Sequence, residues 1–81
     1  MTIIINTFSS VKKIFGFSEK QIDMPDRSTV GDVLNKLIQD YCSNNGINSK
    51  LFFAVNEEYC DEKKTLDDGD TLAIFPPVSG G

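Results

Sequence analysis

The clearest hydrophobic pattern in the chain lies in the stretch STVGDVLNKLIQDYCSNNG. Apolar side chains recur there every three or four residues, which places them on one face of a helix. Thr29 and Asp32 have the spacing of a capping box, with aspartate in place of the usual glutamate, and Asn45-Gly46 ends the pattern. We therefore predict a helix over about residues 30–43. Its apolar stripe consists of Val30, Val33, Leu34, Leu37, Ile38 and Tyr41.

The segments on either side of this helix have the shorter patterns of β-strands. TIIINTF, EKQIDM, KLFFAVN and TLAIF either alternate apolar with polar residues or are rich in β-branched and aromatic ones. A further short strand is predicted around Tyr59, and LDDGD is predicted to form a turn at Gly69. Between the first two strands, SSVKKIFG predicts a short helix that begins after Ser9 or Ser10 and stops at Gly16.

The order of these elements is strand, short helix, strand, long helix and three further strands. It predicts an α+β roll in which one main helix crosses one face of the sheet, with the first two strands forming a hairpin-like pair. In the third strand Leu51, Phe53 and Val55 point one way, while Phe52 and Ala54 point the other way. The last strand has the same alternation of apolar residues, so both sheet faces are apolar. Either loops and the short helix cover the second face, or that face docks a partner protein.

Length and charge narrow the classes of function. The chain has 81 residues and a formal net charge of −4, which fits one domain without the basic stripe that nucleic-acid binding requires. A basic protein partner is favoured instead. No apolar run reaches the length of about 20 residues that spans a bilayer, so we expect no membrane association and a cytoplasmic location.

The chain contains no histidine and two cysteines, Cys42 and Cys60. Without histidine it cannot assemble a serine–histidine or cysteine–histidine catalytic pair of its own. Two free thiols are favoured over a single disulfide, because no secretory signal precedes them. The acidic run Asp67-Asp68-Gly69-Asp70 lacks the full spacing of a calcium-binding loop. We interpret it as a solvated turn and expect no metal site.

The most distinctive stretch is the final one, AIFPPVSGG. Glycines at positions 80 and 81 leave a slender end that can enter a narrow channel, and a terminal carboxylate can be activated as an acyl-adenylate. Pro76 and Pro77 make the exit from the last strand stiff, and Val78 offers one apolar anchor. This pattern predicts a folded domain over residues 1–76 and a flexible tail over residues 77–81. The alternative is a frayed end without function.

The segment DDGDTLAIFPPVSGG resembles the C-terminal signature of the MoaD family, the small sulfur-carrier subunits of molybdopterin synthase. The opening strand ending at Phe8, the stretch FAVNEEY and the DGD turn agree with that family in order, so the resemblance spans essentially the whole chain. It implies the ubiquitin-like β-grasp fold, with a mixed sheet of about five strands, which agrees with the element order predicted above.

The resemblance also implies a chemical role for Gly81. A MoeB-like adenylyltransferase, related to ubiquitin-activating enzymes, would adenylate its carboxylate with ATP and magnesium. A sulfur donor such as a cysteine desulfurase or a rhodanese would convert the adenylate to a thiocarboxylate. Sulfur would then pass to cyclic pyranopterin monophosphate in the active site of a MoaE-like large subunit. The chain itself would bind no cofactor and would be a carrier without catalytic residues of its own.

The same resemblance assigns further residues to partner binding. The tail residues Pro76, Pro77, Val78, Ser79 and Gly80 would insert into the large subunit together with Gly81, and Phe75 and Phe53 would contribute to docking. Four alternatives stay open at this point. Two are other sulfur carriers, a ThiS-like carrier for thiazole synthesis and a carrier for tRNA thiolation. The third is a ubiquitin-like protein modifier whose terminal glycine forms isopeptide bonds, and the fourth is a plain interaction domain with an incidental tail.

Overall fold

The computed structural model of the protein describes residues 1–41 and 51–76. Two helices and five strands follow one another in the predicted order. Their bounds are β1 (Thr2–Thr7), α1 (Ser10–Phe15), β2 (Glu19–Asp23), α2 (Val30–Tyr41), β3 (Phe52–Val55), β4 (Glu58–Cys60) and β5 (Thr71–Phe75). The last two residues of the predicted main helix, 42 and 43, and the predicted tail, 77–81, lie outside the described residues.

The five strands form one mixed sheet in the order β2-β1-β5-β3-β4. β1 and β5 run parallel, whereas β1–β2, β3–β5 and β3–β4 are antiparallel pairs. The predicted α+β roll and its hairpin-like first pair are therefore confirmed. β5 is the central strand, and its last residue is followed at once by Pro76, so Pro76 lies at the end of the middle strand of the sheet.

The capping box at the start of α2 forms as predicted. The backbone amide of Thr29 donates to Asp32 Oδ2 at 2.9 Å, and the amide of Asp32 donates to Thr29 Oγ1 at 3.2 Å. Aspartate thus replaces the usual glutamate without loss of the reciprocal bonds. Of the apolar stripe, three residues are fully buried, and the other three are half-buried against the core: Val30, Val33 and Leu37, then Leu34, Ile38 and Tyr41.

Both helices contribute to a single core on one face of the sheet. From α1, Val11 and Phe15 join this core, and α1 contacts both α2 and β1. Ser9 is the N-cap residue but makes no side-chain capping bond, and Gly16 ends the helix at φ 85° with its amide bonded to the Lys12 carbonyl. The fully buried strand residues of the core are Ile3, Ile5, Leu72 and Ile74.

The acidic LDDGD segment forms a turn at Gly69, as predicted, and its own carboxylates hold it. Gly69 has φ 86°, a conformation that favours glycine. Asp70 Oδ2 accepts from the Asp67 amide at 2.8 Å, and Asp68 Oδ1 accepts from the Thr2 amide at 2.7 Å. These bonds join the turn to the start of β1. Across residues 1–41 and 51–76, no three side chains of the metal-binding types come together.

Neither helix among the described residues has the length and apolar character needed to cross a membrane.

Candidate functional site

Four aromatic rings lie on the sheet face opposite α2, and we call them the aromatic patch: Phe8, Phe52, Tyr59 and Phe75. Three of them are exposed to solvent, with exposed fractions of 43% for Phe8, 37% for Phe52 and 80% for Tyr59. Phe75, at the end of the central strand, is half-buried between them. Exposed rings grouped in this way on a small domain are typical of a protein-binding surface.

Strand register explains why these rings meet. Phe52 is the cross-strand partner of Phe75, and Tyr59 is the partner of Ala54, so all of them project to one side of the sheet. The Phe75 ring stacks on Phe8 with centroids 4.8 Å apart and an interplanar angle of 8°. Tyr59 lies 6.1 Å from Phe75 on the other side. Phe75 is therefore the centre of the patch.

Phe8 reaches this position through an unusual turn after β1. Its backbone amide donates to the Ile74 carbonyl at 3.3 Å, which continues the pairing with β5. The next residue, Ser9, has φ 52° and ψ −128°, a backbone conformation that residues other than glycine rarely adopt. This turn lets Phe8 face the patch while Val11, three residues later, enters the core.

Two shallow grooves adjoin the patch, and both are lined by Tyr59 and Phe75. The tail-side groove, of about 580 Å³, is also lined by Ser9, Phe52, Phe53, Cys60 and Pro76. The polar groove, of about 610 Å³, is lined by Asn6 of β1 and runs toward the β3–β4 turn, where Asn56 and Glu57 line it. The tail-side groove thus begins where the predicted tail leaves the sheet.

The β3–β4 turn fixes one end of the polar groove. Asn56 and Glu57 have φ values of 51° and 73°, which suit the tight hairpin between the two strands. The Asn56 side chain donates to Asp70 Oδ1 at 2.9 Å and accepts from the Thr71 amide at 3.0 Å. This clamp joins the hairpin that carries Tyr59 to the start of β5.

The predicted site residues divide into three groups. Phe75 and Pro76 lie at the patch and at its tail-side groove. Phe53 is 5% exposed and packs in the core on the sheet face opposite Phe75, although it also lines the tail-side groove. Phe52 lies beside Phe75 across the strands, so we add Phe52 as a docking residue, and a docking role for Phe53 stays a prediction. The remaining predicted tail residues, Pro77, Val78, Ser79, Gly80 and Gly81, lie outside the described residues.

The sequence left open what covers the second sheet face. Val11 and Phe15 of α1 pack into the core with α2, so this helix does not cover the aromatic patch. Three of the four patch rings stay exposed in the described chain. This favours the alternative in which the face docks a partner.

Cys60 lies in β4 and lines the tail-side groove. Burial of its side chain and the neighbouring Asp61 raise the pKa of the thiol above its ordinary value. A raised pKa lowers the fraction of thiolate at neutral pH, so this thiol is less reactive than an ordinary one. Cys42 lies outside the described residues, so the two free thiols stay a prediction.

Comparison with known proteins gives a family match over nearly the whole chain. The model of the ThiS family matches residues 5–81. A protein of Chlamydomonas reinhardtii named molybdopterin synthase sulfur carrier subunit is 31% identical over 83 residues, with 100% of both chains covered. A protein of the same name from Dictyostelium discoideum is 36% identical over 77 residues, covering 91% of this chain and 90% of its own.

A solved structure matches the fold at full length. The crystal structure of SAMP1 from Haloferax volcanii superimposes with a TM-score of 0.80 at 25% sequence identity and covers 100% of both chains. Together with the Urm1 structure from Trypanosoma brucei, at a TM-score of 0.74 and 15% identity with 99% of this chain and 95% of that chain covered, it confirms the ubiquitin-like β-grasp fold.

Proposed function

We propose that this chain, which belongs to the ThiS family, is the sulfur carrier subunit of a molybdopterin synthase. The observation that carries this proposal is its relationship to two proteins of that name, at 31% and 36% identity over nearly all of the chain. The aromatic patch beside the point where the tail leaves the sheet supports it, since a carrier must present its tail to another protein.

The proposed chemistry takes place at the Gly81 carboxylate. A MoeB-like activating enzyme uses ATP and magnesium to form an acyl-adenylate there, with release of pyrophosphate. The terminal sulfur of a persulfide on a sulfur donor, such as a cysteine desulfurase or a rhodanese, then attacks the adenylate and displaces AMP. A thiol reduces the resulting acyl disulfide, which leaves a thiocarboxylate on Gly81 and a disulfide between the thiol and the donor. Glycine suits this end of the chain because it has no Cβ to obstruct a narrow channel.

The tail, now ending in a thiocarboxylate, then inserts into the large subunit of the synthase. Pro76 and Pro77 restrict the conformations of the exit and so lower the entropic cost of insertion. Val78 is the apolar anchor, and Ser79 and Gly80 pass through the channel. Gly81 donates its sulfur to cyclic pyranopterin monophosphate. Because a dithiolene contains two sulfurs, each product consumes two carriers that bear a thiocarboxylate.

The aromatic patch is the proposed docking surface for this partner. Phe75 lies at its centre, and Phe52, Phe8 and Tyr59 surround it. Large rings with few rotatable bonds give much contact area at a small entropic cost, and for this reason aromatic residues dominate binding energy at interfaces. Docking through this face would bring the chain after Pro76 directly to the partner.

The β-grasp fold alone does not separate this function from a carrier for thiazole synthesis, a carrier for tRNA thiolation or a protein modifier. The names of the two full-length relatives favour the molybdopterin pathway. Their function is the one we carry over to this chain.

Deleting Gly81 tests the proposal. In a reconstituted system with the activating enzyme, a sulfur donor and the large subunit, the full chain should support conversion of the pterin precursor. The chain lacking Gly81 should give no conversion while keeping the unfolding midpoint of the full chain, because the described core ends before the tail. A chain extended by one alanine after Gly81 is the matched control for tail length and should also be inactive.

Conversion by the shortened or the extended chain at the rate of the full chain would contradict the role of the Gly81 carboxylate. Formation of an isopeptide bond to lysines of other proteins, without pterin conversion, would instead support the modifier alternative.

A further inference from the structure

The charged side chains of the sheet are sorted by face. Glu19 and Asp23 of β2 pair with Asn6 and Thr2 of β1, which places both carboxylates on the face of the aromatic patch. Lys20, between them, pairs with the buried Ile5 and so lies on the opposite face. There its Nζ is 5.8 Å from the Phe17 ring centroid and 5.2 Å from that of Tyr41. Lys20, the basic residue of β2, therefore adds no positive charge to the patch face.

The same sorting occurs at the other side of the sheet. Glu57 lines the polar groove next to Tyr59. Glu58 is the cross-strand partner of Val55, whose side chain is buried in the core, and so points away from the patch. Among the described strands and the β3–β4 turn, every charged side chain on the patch face is therefore an acid. We call Glu19, on the β2 edge, and Glu57, on the β3–β4 turn, the acidic flanks. Asp23 lies four residues, about 13 Å, further along β2.

The flanks lie toward opposite edges of the patch face: Glu19 is level with Ala73 through Asn6, and Glu57 lies two residues after Val55, which pairs with Leu72. β2 is one edge of the sheet, and the β3–β4 turn lies at the other. With neighbouring strands about 4.8 Å apart, three to four strand spacings separate the flanks by about 14–19 Å. This exceeds the Debye length of about 8 Å at physiological salt. One basic group of a partner therefore cannot serve both flanks.

We propose that the patch face recognises a protein surface with an apolar centre and a separate basic group on each side, one facing Glu57 and one facing Glu19. This proposal rests on the proposed function and identifies the chemistry of the docking surface on the large subunit. Its grounds are charge complementarity and the continuity of the flanks with the aromatic patch.

Two flanks have a function that the apolar centre cannot supply. Stacked rings bind another apolar surface in more than one rotation about the sheet normal, whereas two charge pairs on opposite sides fix that rotation. A fixed rotation directs the chain after Pro76 toward the active-site channel of the partner. Charges at the rim act mainly on the association rate and on its salt dependence.

The test measures association rates of the cognate large subunit by stopped flow, at several salt concentrations. At low salt, Glu57→Gln and Glu19→Gln should each slow association about two- to fivefold, and the double variant should show the product of the two effects. Both single variants should also have a shallower salt dependence. Glu58→Gln is the matched control, since it removes the same charge one residue away on the opposite face, and its rate should equal that of the wild-type chain.

Equal rates for the wild-type chain and the double variant would overturn the flank proposal, while tight binding and pterin conversion by that variant would leave the proposed function standing. An equal slowing by Glu58→Gln would also overturn it, because net charge alone would then explain the effect. If the wild-type chain formed no complex with the large subunit, both proposals would fail.

Discussion

The two faces of the sheet are built from different side chains, although the same strands supply both. The face under the helices is closed mainly by aliphatic residues, together with Phe15 and Phe53, and Leu72 and Ile74 of β5 are fully buried there. The opposite face carries Ala73 and Phe75 from the same strand, with exposed rings around them. Because side chains alternate between the two faces along β5, a residue of the core and a residue of the proposed binding face are adjacent in the sequence. Stability and binding can therefore be altered separately by substituting one or the other.

The difference follows from what each face has to contact. Branched aliphatic side chains fill a closed core at high density and have no polar atoms to satisfy. A face that is exposed to water in the free protein and covered by a partner in the complex benefits from flat aromatic rings. These rings tolerate water in the free protein and contribute a large contact area in the complex. The predictions below test this division.

The largest expected effect comes from truncating the buried neighbour on β5. Ile74→Ala should lower the free energy of unfolding by about 2–5 kcal/mol, since it leaves a cavity in the closed core. Phe75→Ala should cost only about 1 kcal/mol, from lost ring contacts on an open face. Urea denaturation of both variants measures the difference, and equal losses would mean that the second face belongs to the core.

Binding should respond in the opposite way. Phe75→Ala should weaken binding to the large subunit by about 2 kcal/mol or more, because a ring at the centre of an interface is a hot-spot position. Ile14→Ala is the control, since Ile14 is 38% exposed on α1 and lies outside the patch. Isothermal titration calorimetry compares the two, and an equal effect of both would rule out the patch as the docking surface.

A smaller effect is expected at the capping box of α2. Thr29→Ala should lower the free energy of unfolding by about 0.5–2 kcal/mol, as it removes the side-chain oxygen that accepts from the Asp32 amide. Gln39→Ala, at an exposed position of the same helix, should leave stability nearly unchanged. Affinity for the large subunit should stay the same in both variants, because α2 lies under the other face. If the Thr29→Ala variant lost affinity under conditions in which it is fully folded, the separation between the core face and the binding face would be contradicted.

The smallest effect concerns the thiol of Cys60. Because its pKa is raised in the folded protein, alkylation by iodoacetamide in a Cys42→Ser variant should reach half its maximal rate at a higher pH than in the urea-unfolded chain. By linkage, the contribution of the protonated thiol to stability is fully present below the unfolded pKa and is lost as the pH rises through the folded pKa. Faster alkylation of the folded chain at neutral pH would contradict this direction.

The sequence predicted the elements well wherever local chemistry decided them. Thr29 and Asp32 marked the start of α2, and Gly16 marked the end of α1. Alternation in the third strand correctly placed Phe52 and Phe53 on opposite faces. Which of the two shares a face with Phe75 depends on the register between β3 and β5, which alternation within one strand does not contain.

The rest depended on tertiary pairing that no local pattern contains. Phe8 comes after the last residue of β1, and only the positive φ of Ser9 and the pairing to Ile74 bring its ring onto Phe75. Tyr59 lies on a strand of three residues, too short for its alternation to be read. Ile14 fits the apolar spacing of α1, yet it is exposed because a six-residue helix buries only a narrow stripe.

The central claim is that Gly81 carries the sulfur, and analysis of the C-terminal peptide tests it most directly. After incubation with the activating enzyme, ATP and a sulfur donor, the chain is treated with a thiocarboxylate-selective reagent, digested and measured by mass spectrometry. A selective reagent is needed because exchange of oxygen for sulfur nearly matches the mass gain of methionine oxidation. The account predicts that the label is found on the peptide ending in Gly81 and is lost when ATP is omitted. Labelling elsewhere in the chain, or none with every component present, would contradict it.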